Sequence, residues 1–584
     1  MLDDILLQVQ KPARYIGQEW NLPKKDFAQS NIKFALCFPD LYEVGMSNLG
    51  IRIIYSILNS IPDVSCERFF SCGLDMEQIL RSKHLEVFSL ESKKRLREFD
   101  IIGFSLGCEL NYTNVLNILE LGGIPLKSSL RTNREPLVIA GGPAALNPEP
   151  MHEFFDLFII GEGEDLILEF IELYRKYKEK YKRSEISKQD LLFMFANISG
   201  VYVPSFYKVR YNPQGGIEEF KPEIEAVAPK INKRFVKDLN SSFFPLDWLL
   251  PYIQIVHDRI TLEIMRGCPN RCRFCQARSA YFPLRLRGIE NILNLARATY
   301  KRTGYEEISL GGLSVSDYAN IEELLQGLID LFKEKAVGVS LPSIKARAGV
   351  GNLSYLIAKI KKTGLTFAPE SGSERLRKIL GKDFDEQDFF KTIEQAYTAG
   401  YRHLKLYFMI GLPFEEQRDL DDIVEFAIRT SELRRQIKKV PAQVNISINA
   451  LIPKPHTPLQ WFGMIDIDTL KYKQNYLKNK IRNKRLILTF HNRYMSFLEG
   501  VLSRGDRRLS QVIFSAFKRG ARFDAWGDGF AFEKWQAAFA ESNIDPRLYL
   551  KEKSPDELLP WDFIDVGISK DALVEEFNKV IATE

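Results

Sequence analysis

The stretch RITLEIMRGCPNRCRFCQ, residues 259–276, sets the architecture of the second half of this 584-residue chain. It opens with a β-branched and apolar run typical of a buried strand, and a cysteine-rich loop follows at once. Cys268, Cys272 and Cys275 stand at the spacing C-x3-C-x2-C. Three soft thiolates on one tight loop suit an iron–sulfur cluster. Because no cysteine follows Cys275, we expect one iron of such a cluster to lack a protein ligand.

Five further strand-like runs follow this loop, each separated from the next by enough residues for a loop and a helix. They are EEISLGG, VGVSLP, GLTFAPES, HLKLYFMIG and QVNISINALIP. Six strands with right-handed crossovers predict a partial (β/α)6 barrel over residues 251–485, not a closed eight-stranded barrel. After about Leu477 the alternation ends, and mixed helical segments predict a small C-terminal domain over residues 486–584.

The first 197 residues alternate strand-like runs with helical stretches, which predicts an α/β domain with a doubly wound parallel sheet. The runs are NIKFALCF, VSCERFF, DIIGFSL, PLVIAGG and DLFIIGEGE. Such sheets bind ligands beyond the carboxyl ends of their strands, where Asp40, Ser105 and Gly141–Gly142 fall. Residues 198–250 are predicted to form a β-hairpin linker with its turn at 212–216.

Composition places the chain among ordinary globular proteins. Apolar residues make up 45% and charged residues 27%, which excludes a mainly disordered, collagen-like or disulfide-stapled chain. The net charge of +5 is spread over a large surface and does not by itself indicate nucleic acid. The start MLDDILLQVQ lacks the pattern of a signal peptide, and no window reaches about 18 uninterrupted apolar residues. We expect a cytoplasmic protein without a membrane segment.

The cysteine loop and its place in the strand series resemble the radical S-adenosylmethionine superfamily. Phe274, just before the third cysteine, also agrees with the pattern of that family. The resemblance implies that Cys268, Cys272 and Cys275 hold a 4Fe-4S cluster and that S-adenosylmethionine chelates its open iron. It further implies an enzyme that cleaves this cofactor reductively and abstracts hydrogen from a substrate. A zinc knuckle or a redox cysteine cluster is the alternative for the thiols, but it does not account for their place in the strand series.

Gly311–Gly312, at the end of the second barrel strand, stands where the family commonly has Gly-Gly-Glu to receive the amino group of the cofactor. Leu313 replaces the acid here. The resemblance therefore leaves the amino-group ligand open between backbone carbonyls, Ser314 and Ser316.

Two later segments resemble further cofactor-binding elements of the family. Glu370–Ser371 in TFAPES matches its PES element, which implies that Glu370 binds the ribose hydroxyls and Ser371 the carboxylate. A helix cap is the plain alternative for such a glutamate. Met409 and Gly411 in YFMIGLP resemble the element that packs on adenine, although these residue types also suit an ordinary core.

The N-terminal domain resembles the cobalamin-binding domains that precede the radical barrel in a large subgroup. DLYEVG places Asp40 and Gly45 at the spacing of that subgroup's loop, with Tyr42 where its axial histidine belongs. Ser105 and Gly141–Gly142 stand where the subgroup lines the pocket of the nucleotide tail. A phenol is a poor neutral cobalt ligand compared with imidazole. Two expectations stay open: cobalamin bound without a protein histidine, and an inherited sheet that has lost the cofactor.

The partners expected from the sequence follow from this chemistry. The resemblance implies a one-electron reductant such as flavodoxin or ferredoxin. Methyl or sulfur transfer to a macromolecule, with RNA as the preferred class, rests on analogy with PES-containing methylthiotransferases. The run KYKQNYLKNKIRNKR, residues 471–485, is basic and carries tyrosines, so RNA contact and a solvated helix both stay open. The alternative function is a non-catalytic iron–sulfur protein that senses redox state or binds a partner.

Overall fold

The N-terminal domain is built on a six-stranded sheet. The computed structural model describes residues 2–335, 337–340 and 365–582 of the chain. The strands are β1 (Ile32–Phe38), β2 (Val64–Phe70), β3 (Ile101–Ser105), β4 (Leu137–Gly141), β5 (Leu157–Ile159) and β6 (Val201–Tyr202). Their order is β2-β1-β3-β4-β5-β6, and only β6 is antiparallel to its neighbour. The order reverses between β1 and β3, which confirms the predicted doubly wound sheet.

Helices connect these strands and bury their apolar faces on the sheet. They are α1 (Leu2–Leu6), α2 (Ala13–Ile16), α3 (Tyr42–Gly45), α4 (Leu49–Ser60), α5 (Leu74–Ser82), α6 (Tyr112–Leu121), α7 (Glu164–Lys182) and α8 (Lys188–Ala196). Every residue of β2 and nearly every residue of β1 is buried, as a parallel sheet covered on both faces requires.

The linker contains the predicted hairpin. Its strands are β7 (Tyr207–Tyr211) and β8 (Ile217–Pro222), which pair antiparallel, and β9 (Ile231–Asn232) follows. The predicted boundary at residue 197 is too early, because β6 extends the N-terminal sheet by pairing with β5. A two-residue strand carries too little periodicity to be recognised in the sequence.

The barrel consists of two parallel sheets, one of three strands and one of four, with a two-stranded ribbon beside them. Its strands are β10 (Ile260–Glu263), β11 (Met265–Arg266), β12 (Arg285–Leu286), β13 (Glu307–Gly311), β14 (Gly338–Ser340), β15 (Leu365–Glu370), β16 (His403–Ile410), β17 (Gln443–Ala450) and β18 (Leu486–Phe490). The sheets run β10-β13-β14 and β15-β16-β17-β18, and β11 pairs antiparallel with β12. The predicted run VGVSLP contains β14, and its last two residues lie outside the described part of the chain.

The partial barrel is confirmed. Among the described residues, β18 adds a seventh parallel strand to the six parallel strands that were predicted. It pairs in parallel with β17, from Val444–Leu486 to Ile448–Phe490. The predicted domain boundary at residue 485 therefore falls one strand too early. The short run LILTF was missed because it follows basic residues and no further strand-and-helix unit comes after it.

The barrel helices and the C-terminal elements complete the chain. The barrel helices are α9 (Gln276–Ala280), α10 (Ile289–Thr303), α11 (Ile321–Phe332), α12 (Glu374–Ile379), α13 (Glu386–Thr398), α14 (Gln417–Lys438) and α15 (Ile467–Lys480). The C-terminal elements are α16 (Arg493–Ser503), α17 (Leu509–Lys518), α18 (Phe532–Glu541), α19 (Arg547–Leu550), β19 (Ile564–Asp565) and α20 (Lys570–Ile581). Among the described helices, none combines the length and the apolar character needed to cross a membrane.

The C-terminal segment packs against the N-terminal sheet. Val501 and Val512 belong to the same buried apolar cluster as Ile102 of the N-terminal sheet. Polar contacts join the two parts as well, because Asn147 Nδ2 donates to the Ser503 carbonyl at 2.9 Å. A core shared by distant segments leaves no local pattern, so this contact could not be predicted from the sequence.

Candidate functional site

The cysteine loop leaves β11 through a glycine that no other residue could replace. Gly267 has a φ of +87°, and a Cβ there would lie 2.8 Å from the Leu284 Cα. Cys268, Cys272 and Cys275 follow, and all three are half-buried. Burial raises the pKa of the Cys275 thiol, and the neighbouring Cys268 adds to this effect. A metal ion at this position would hold the Cys275 sulfur as the thiolate.

Arg273, inside the loop, ties it to two other parts of the chain. Its backbone N–H donates to the Leu380 carbonyl at 2.9 Å, just beyond α12. Its guanidinium donates to the Ile379 carbonyl at 2.8 Å and to Glu576 Oε2 of α20 at 2.9 Å. The C-terminal helix thus supports the cysteine loop, which the sequence did not reveal because 300 residues separate the partners.

Phe274, Met409 and Glu370 come together beside the loop. Phe274 packs against the buried apolar cluster that contains Met409 and Leu380. Lys382 links Glu370 to this group. Its Nζ lies 2.6 Å from Glu370 Oε1 and 5.9 Å from the centre of the Phe274 ring. Lys382 was not recognised in the sequence, where it is one of many lysines on a helix end.

Glu370 has a strained backbone at the carboxyl end of β15. Its φ is +67°, and the pairing of β15 with β16 shifts register between Phe367 and Glu370. Strain of this kind is concentrated at functional sites, because the surroundings must hold it. Burial raises the pKa of Glu370, while the ion pair with Lys382 acts in the opposite direction. The shift in register directs this carboxylate out of the strand toward Lys382.

Ser371 and Gly411 make local contacts in the structure. Ser371 is buried, and its Oγ accepts from the Ser373 N–H at 3.2 Å. Gly411 has a φ of +77°, and its N–H donates to Glu415 Oε2 at 2.9 Å. Both residues follow strands of the same sheet at its carboxyl edge, where ligands of such barrels bind.

Asn270 links Cys268 to Asp317, an acid that the sequence analysis missed. Asn270 Nδ2 donates to Asp317 Oδ2 at 2.6 Å and lies 3.5 Å from the Cys268 sulfur. Ser314 Oγ donates to the same Asp317 oxygen at 2.6 Å. Asp317 follows Leu313 by four residues, and the short 3-10 helix Val315–Asp317 brings it back to the loop.

Gly311–Gly312 bring the end of β13 against the strand that enters the cysteine loop. A Cβ on Gly312 would lie 2.6 Å from the Met265 Cγ, and a Cβ on Gly311 would lie 3.1 Å from the Thr261 side chain. The glycine pair therefore allows close packing of β13 on β10 and β11. Leu313, the next residue, is 41% exposed. Its aliphatic side chain offers no polar group to a ligand.

Asp40, Tyr42 and Gly45, the candidate residues of the DLYEVG loop, all make contacts within the protein. Tyr42 is buried, and its hydroxyl donates to Glu19 at 2.9 Å. A Cβ on Gly45 would lie 2.1 Å from the Phe70 ring. The Asp40 carboxylate accepts from Trp526 Nε1 of the C-terminal segment at 2.9 Å. The Tyr42 hydroxyl is therefore held by Glu19 in the domain interior.

The residues predicted to line a nucleotide-tail pocket lie where the loops after β3 and β4 meet. The Leu106 N–H, next to Ser105, donates to the Gly141 carbonyl at 2.8 Å, and the Ala144 N–H donates to the Leu106 carbonyl at 3.2 Å. Gly142 has a φ of +103°, and a Cβ there would lie 2.7 Å from the same carbonyl oxygen. The two loops are thus hydrogen-bonded to each other at the carboxyl edge of the sheet, where doubly wound sheets bind ligands.

His456 and the basic run lie apart from this chemistry. His456 is buried with Nε2 3.0 Å from the Leu146 carbonyl, and burial lowers its pKa to about 4. Its ring is therefore hydrogen-bonded within the protein interior. The basic run occupies α15 and the loop before β18, and Leu486 pairs with Val444 at the start of β17. The last basic residues therefore lie at the amino ends of the strands, opposite the cysteine loop.

Comparison with known proteins agrees with this arrangement. A family model described as the Radical SAM superfamily matches residues 262–427, and one described as Radical SAM proteins, N-terminal, matches residues 50–204. An uncharacterized protein of Methanocaldococcus jannaschii, MJ0966, is 29% identical over 82% of this chain and 90% of its own length. The tRNA-2-methylthio-N(6)-dimethylallyladenosine synthase of Staphylococcus epidermidis is 25% identical over 33% of this chain and 40% of its own length.

Two solved structures are similar at low sequence identity. The radical S-adenosylmethionine methyltransferase TsrM from Kitasatospora setae is 12% identical, with a TM-score of 0.46 over 74% of this chain and 75% of its own. The cobalamin-dependent S-adenosylmethionine radical enzyme OxsB is 14% identical, with a TM-score of 0.45 over 94% of this chain and 84% of its own. The two family models together cover more than half of the sequence, and the chain belongs to the radical S-adenosylmethionine superfamily.

Proposed function

We propose that this radical S-adenosylmethionine enzyme binds a 4Fe-4S cluster through Cys268, Cys272 and Cys275 and uses it to cleave S-adenosylmethionine reductively. The observation that carries the proposal is the convergence of the cysteine loop, Glu370 and Asp317 at the carboxyl ends of the barrel strands. Active sites of such barrels lie at that end.

The donor set fits a cluster with one open iron. Thiolates are the ligands that iron–sulfur clusters prefer, and the loop supplies three of them. The four other cysteines, at positions 37, 66, 72 and 108, lie in the N-terminal domain. When bound, the cluster supplies the electron that splits S-adenosylmethionine into methionine and a 5′-deoxyadenosyl radical, which takes a hydrogen atom from the substrate.

The residues around the loop suit the groups of S-adenosylmethionine. Asp317, held by Ser314 and Asn270, provides the carboxylate that Leu313 lacks, so we assign the amino group of the cofactor to it. Glu370 provides acceptors for the ribose hydroxyls. An ammonium group and two hydroxyls are donors, and charge-assisted bonds from them to carboxylates are the strong ones.

Three further residues complete the proposed binding site. Ser371 is assigned to the carboxylate of the cofactor, and Met409 and Gly411 to its adenine. Lys382 favours the ionised form of Glu370 and orients it through their 2.6 Å contact. Phe274 closes the apolar side of the loop and excludes water from it.

The substrate class is proposed by analogy. A third of the chain is similar to a tRNA-2-methylthio-N(6)-dimethylallyladenosine synthase, which supports methyl or sulfur transfer to a macromolecule with RNA as the preferred class. The last basic residues of the run, at the amino ends of the strands, would then anchor RNA away from the reacting atoms, because the cysteine loop lies at the other end. A one-electron reductant such as flavodoxin or ferredoxin is required.

The test is anaerobic reconstitution with iron and sulfide, followed by reduction in the presence of S-adenosylmethionine. The proposal predicts that 5′-deoxyadenosine accumulates with the wild-type protein and disappears in Cys272→Ser. Cys108→Ser, which removes a thiol outside the loop, is the matched control and is expected to retain the activity. A cluster that forms and is reduced but never cleaves the cofactor would contradict the proposal and favour a redox sensor.

A further inference from the structure

The FIIGEGE segment of the N-terminal domain ends beside the strand that enters the cysteine loop. Gly161 has a φ of +105°, and a Cβ there would lie 2.2 Å from the Arg234 carbonyl oxygen. The Glu162 N–H donates to that same carbonyl at 3.0 Å, and its carboxylate accepts from the Val236 N–H at 2.7 Å. The linker backbone therefore fixes the position of Glu162.

Arg266 is the residue that these acids hold. It ends β11, two residues before Cys268. Its Nη1 lies 2.9 Å from Glu162 Oε2 and 2.7 Å from Glu164 Oε1. Its Nε and Nη2 bind the two carboxylate oxygens of Glu263, each at 2.9 Å. One guanidinium thus connects two acids of the N-terminal domain to strand β10.

Arg285 extends this network to the other side of Gly267. Its Nη1 and Nη2 bind the two oxygens of Glu162 at 2.8 and 2.7 Å. It also donates to the carbonyls of Pro283 and Tyr281, at 3.0 and 3.1 Å. A Cβ on Gly267 would lie 2.8 Å from each of those carbonyl oxygens. The segment that packs on Gly267 is therefore anchored to Glu162.

The network is buried, with side chains no more than 15% exposed. Three carboxylates contact the two guanidinium groups, and the buried ammonium of Lys233 also attracts Glu162. Buried ion pairs contribute little to stability, because the loss of hydration offsets their attraction. The main effect of the network is therefore geometric, because it fixes the backbone on both sides of Gly267.

We propose that Glu162 and Glu164 are positioning residues for the cysteine loop. Through Arg266 and Arg285 they hold the backbone at Gly267, so that Cys268 stands where the cluster and the cofactor require it. Groups that orient metal ligands in this way matter nearly as much as the ligands. This inference rests on the proposed function, since it concerns the loop that would bind the cluster.

The test uses Glu164→Gln and Glu162→Gln in the full chain, reconstituted without oxygen. We expect folded proteins whose 5′-deoxyadenosine formation falls about 10- to 100-fold, the usual cost of losing an outer-shell partner of a metal site. The electron paramagnetic resonance spectrum of the reduced cluster should change as well, which a merely structural role would not cause. Glu169→Gln is the matched control, because it removes an exposed acid on α7 that pairs with Arg234.

Three outcomes distinguish a positioning role from a merely structural one and from a failure of the proposed function. If both variants fold and match Glu169→Gln in iron content, spectrum and rate, the positioning role is refuted. If Glu162→Gln does not fold, Glu164→Gln decides by the same criteria, because among the described residues Glu164 forms its ion pair with Arg266 and none with Arg285. A wild-type protein that binds no cluster would refute the proposed function itself.

Discussion

Replacing Arg507 with methionine should destabilise the N-terminal sheet and the C-terminal helices together. Arg507 Nε donates to Glu149 Oε2 at 2.6 Å, and Nη2 donates to the Tyr202 hydroxyl at 2.8 Å. Nη1 donates to the Tyr207 carbonyl at 2.6 Å. Glu149 is almost completely buried. In Arg507→Met its carboxylate would keep the hydrogen bond from the Tyr202 hydroxyl but lose the ion pair with Arg507.

The expected loss follows from that burial. Removing one member of a buried ion pair costs about 3–5 kcal/mol, because the other charge stays dehydrated. If about 300 residues of the N-terminal domain and the C-terminal segment unfold together, the entropy of unfolding converts this loss to a drop in Tm of about 5–8 °C. A separate C-terminal domain of about 100 residues would instead lose about 15–25 °C in a transition of its own.

Differential scanning calorimetry on the full chain distinguishes the two cases. The shared core predicts that the transition of the N-terminal domain moves with that of the C-terminal helices, by the smaller amount. Arg519→Met is the control, since Arg519 forms an exposed ion pair with Glu541 on the same helical segment. A large shift confined to a small separate transition would refute the shared core.

Three further predictions concern single side chains. Asp317→Asn should weaken S-adenosylmethionine binding about 10-fold or more, measured by equilibrium dialysis, because a charge-assisted bond is lost while the cluster stays; unchanged affinity would remove Asp317 from the site. Lys382→Met should raise the pKa of buried Glu370 and weaken cofactor binding more at pH 6 than at pH 8, whereas Lys378→Met, which breaks an exposed pair, should not. Burial lowers the pKa of His152 to about 3, below the unfolded value of about 6.5, so the unfolded state binds more protons between them. The stability from neutral His152 is complete above pH 6.5 and is lost toward pH 3; urea unfolding at pH 7.5 and 5 should show a smaller difference in His152→Gln, and an equal difference would contradict the assignment.

The sequence predicted the elements whose signals are local. Each of these signals occupies a few consecutive residues: the cysteine loop, the strand before it and the PES segment. In the structure the cysteine loop and the PES segment both lie at the carboxyl ends of the barrel strands. Alternation of strands and helices was enough to predict the doubly wound sheet. Two-residue β6 and the isolated strand β18 escaped because they lack that periodic context.

The contacts that complete the site are not local, and the sequence could not reveal them. Arg273 meets Glu576 across 303 residues, and Trp526 reaches Asp40 across 486. Asp317 lies close to Leu313 in sequence, but only a tight turn brings it to the cysteine loop. The cobalamin-like spacing of DLYEVG was visible in the sequence, whereas the inward orientation of Tyr42 depends on its partner Glu19.

The most direct test of the central claim is the electron paramagnetic resonance spectrum of the reduced, reconstituted protein before and after addition of S-adenosylmethionine. A cluster held by Cys268, Cys272 and Cys275 alone has an open iron, so its spectrum should change when the cofactor binds. A spectrum that stays the same at saturating S-adenosylmethionine, or a protein that takes up zinc in place of the cluster, would contradict the account.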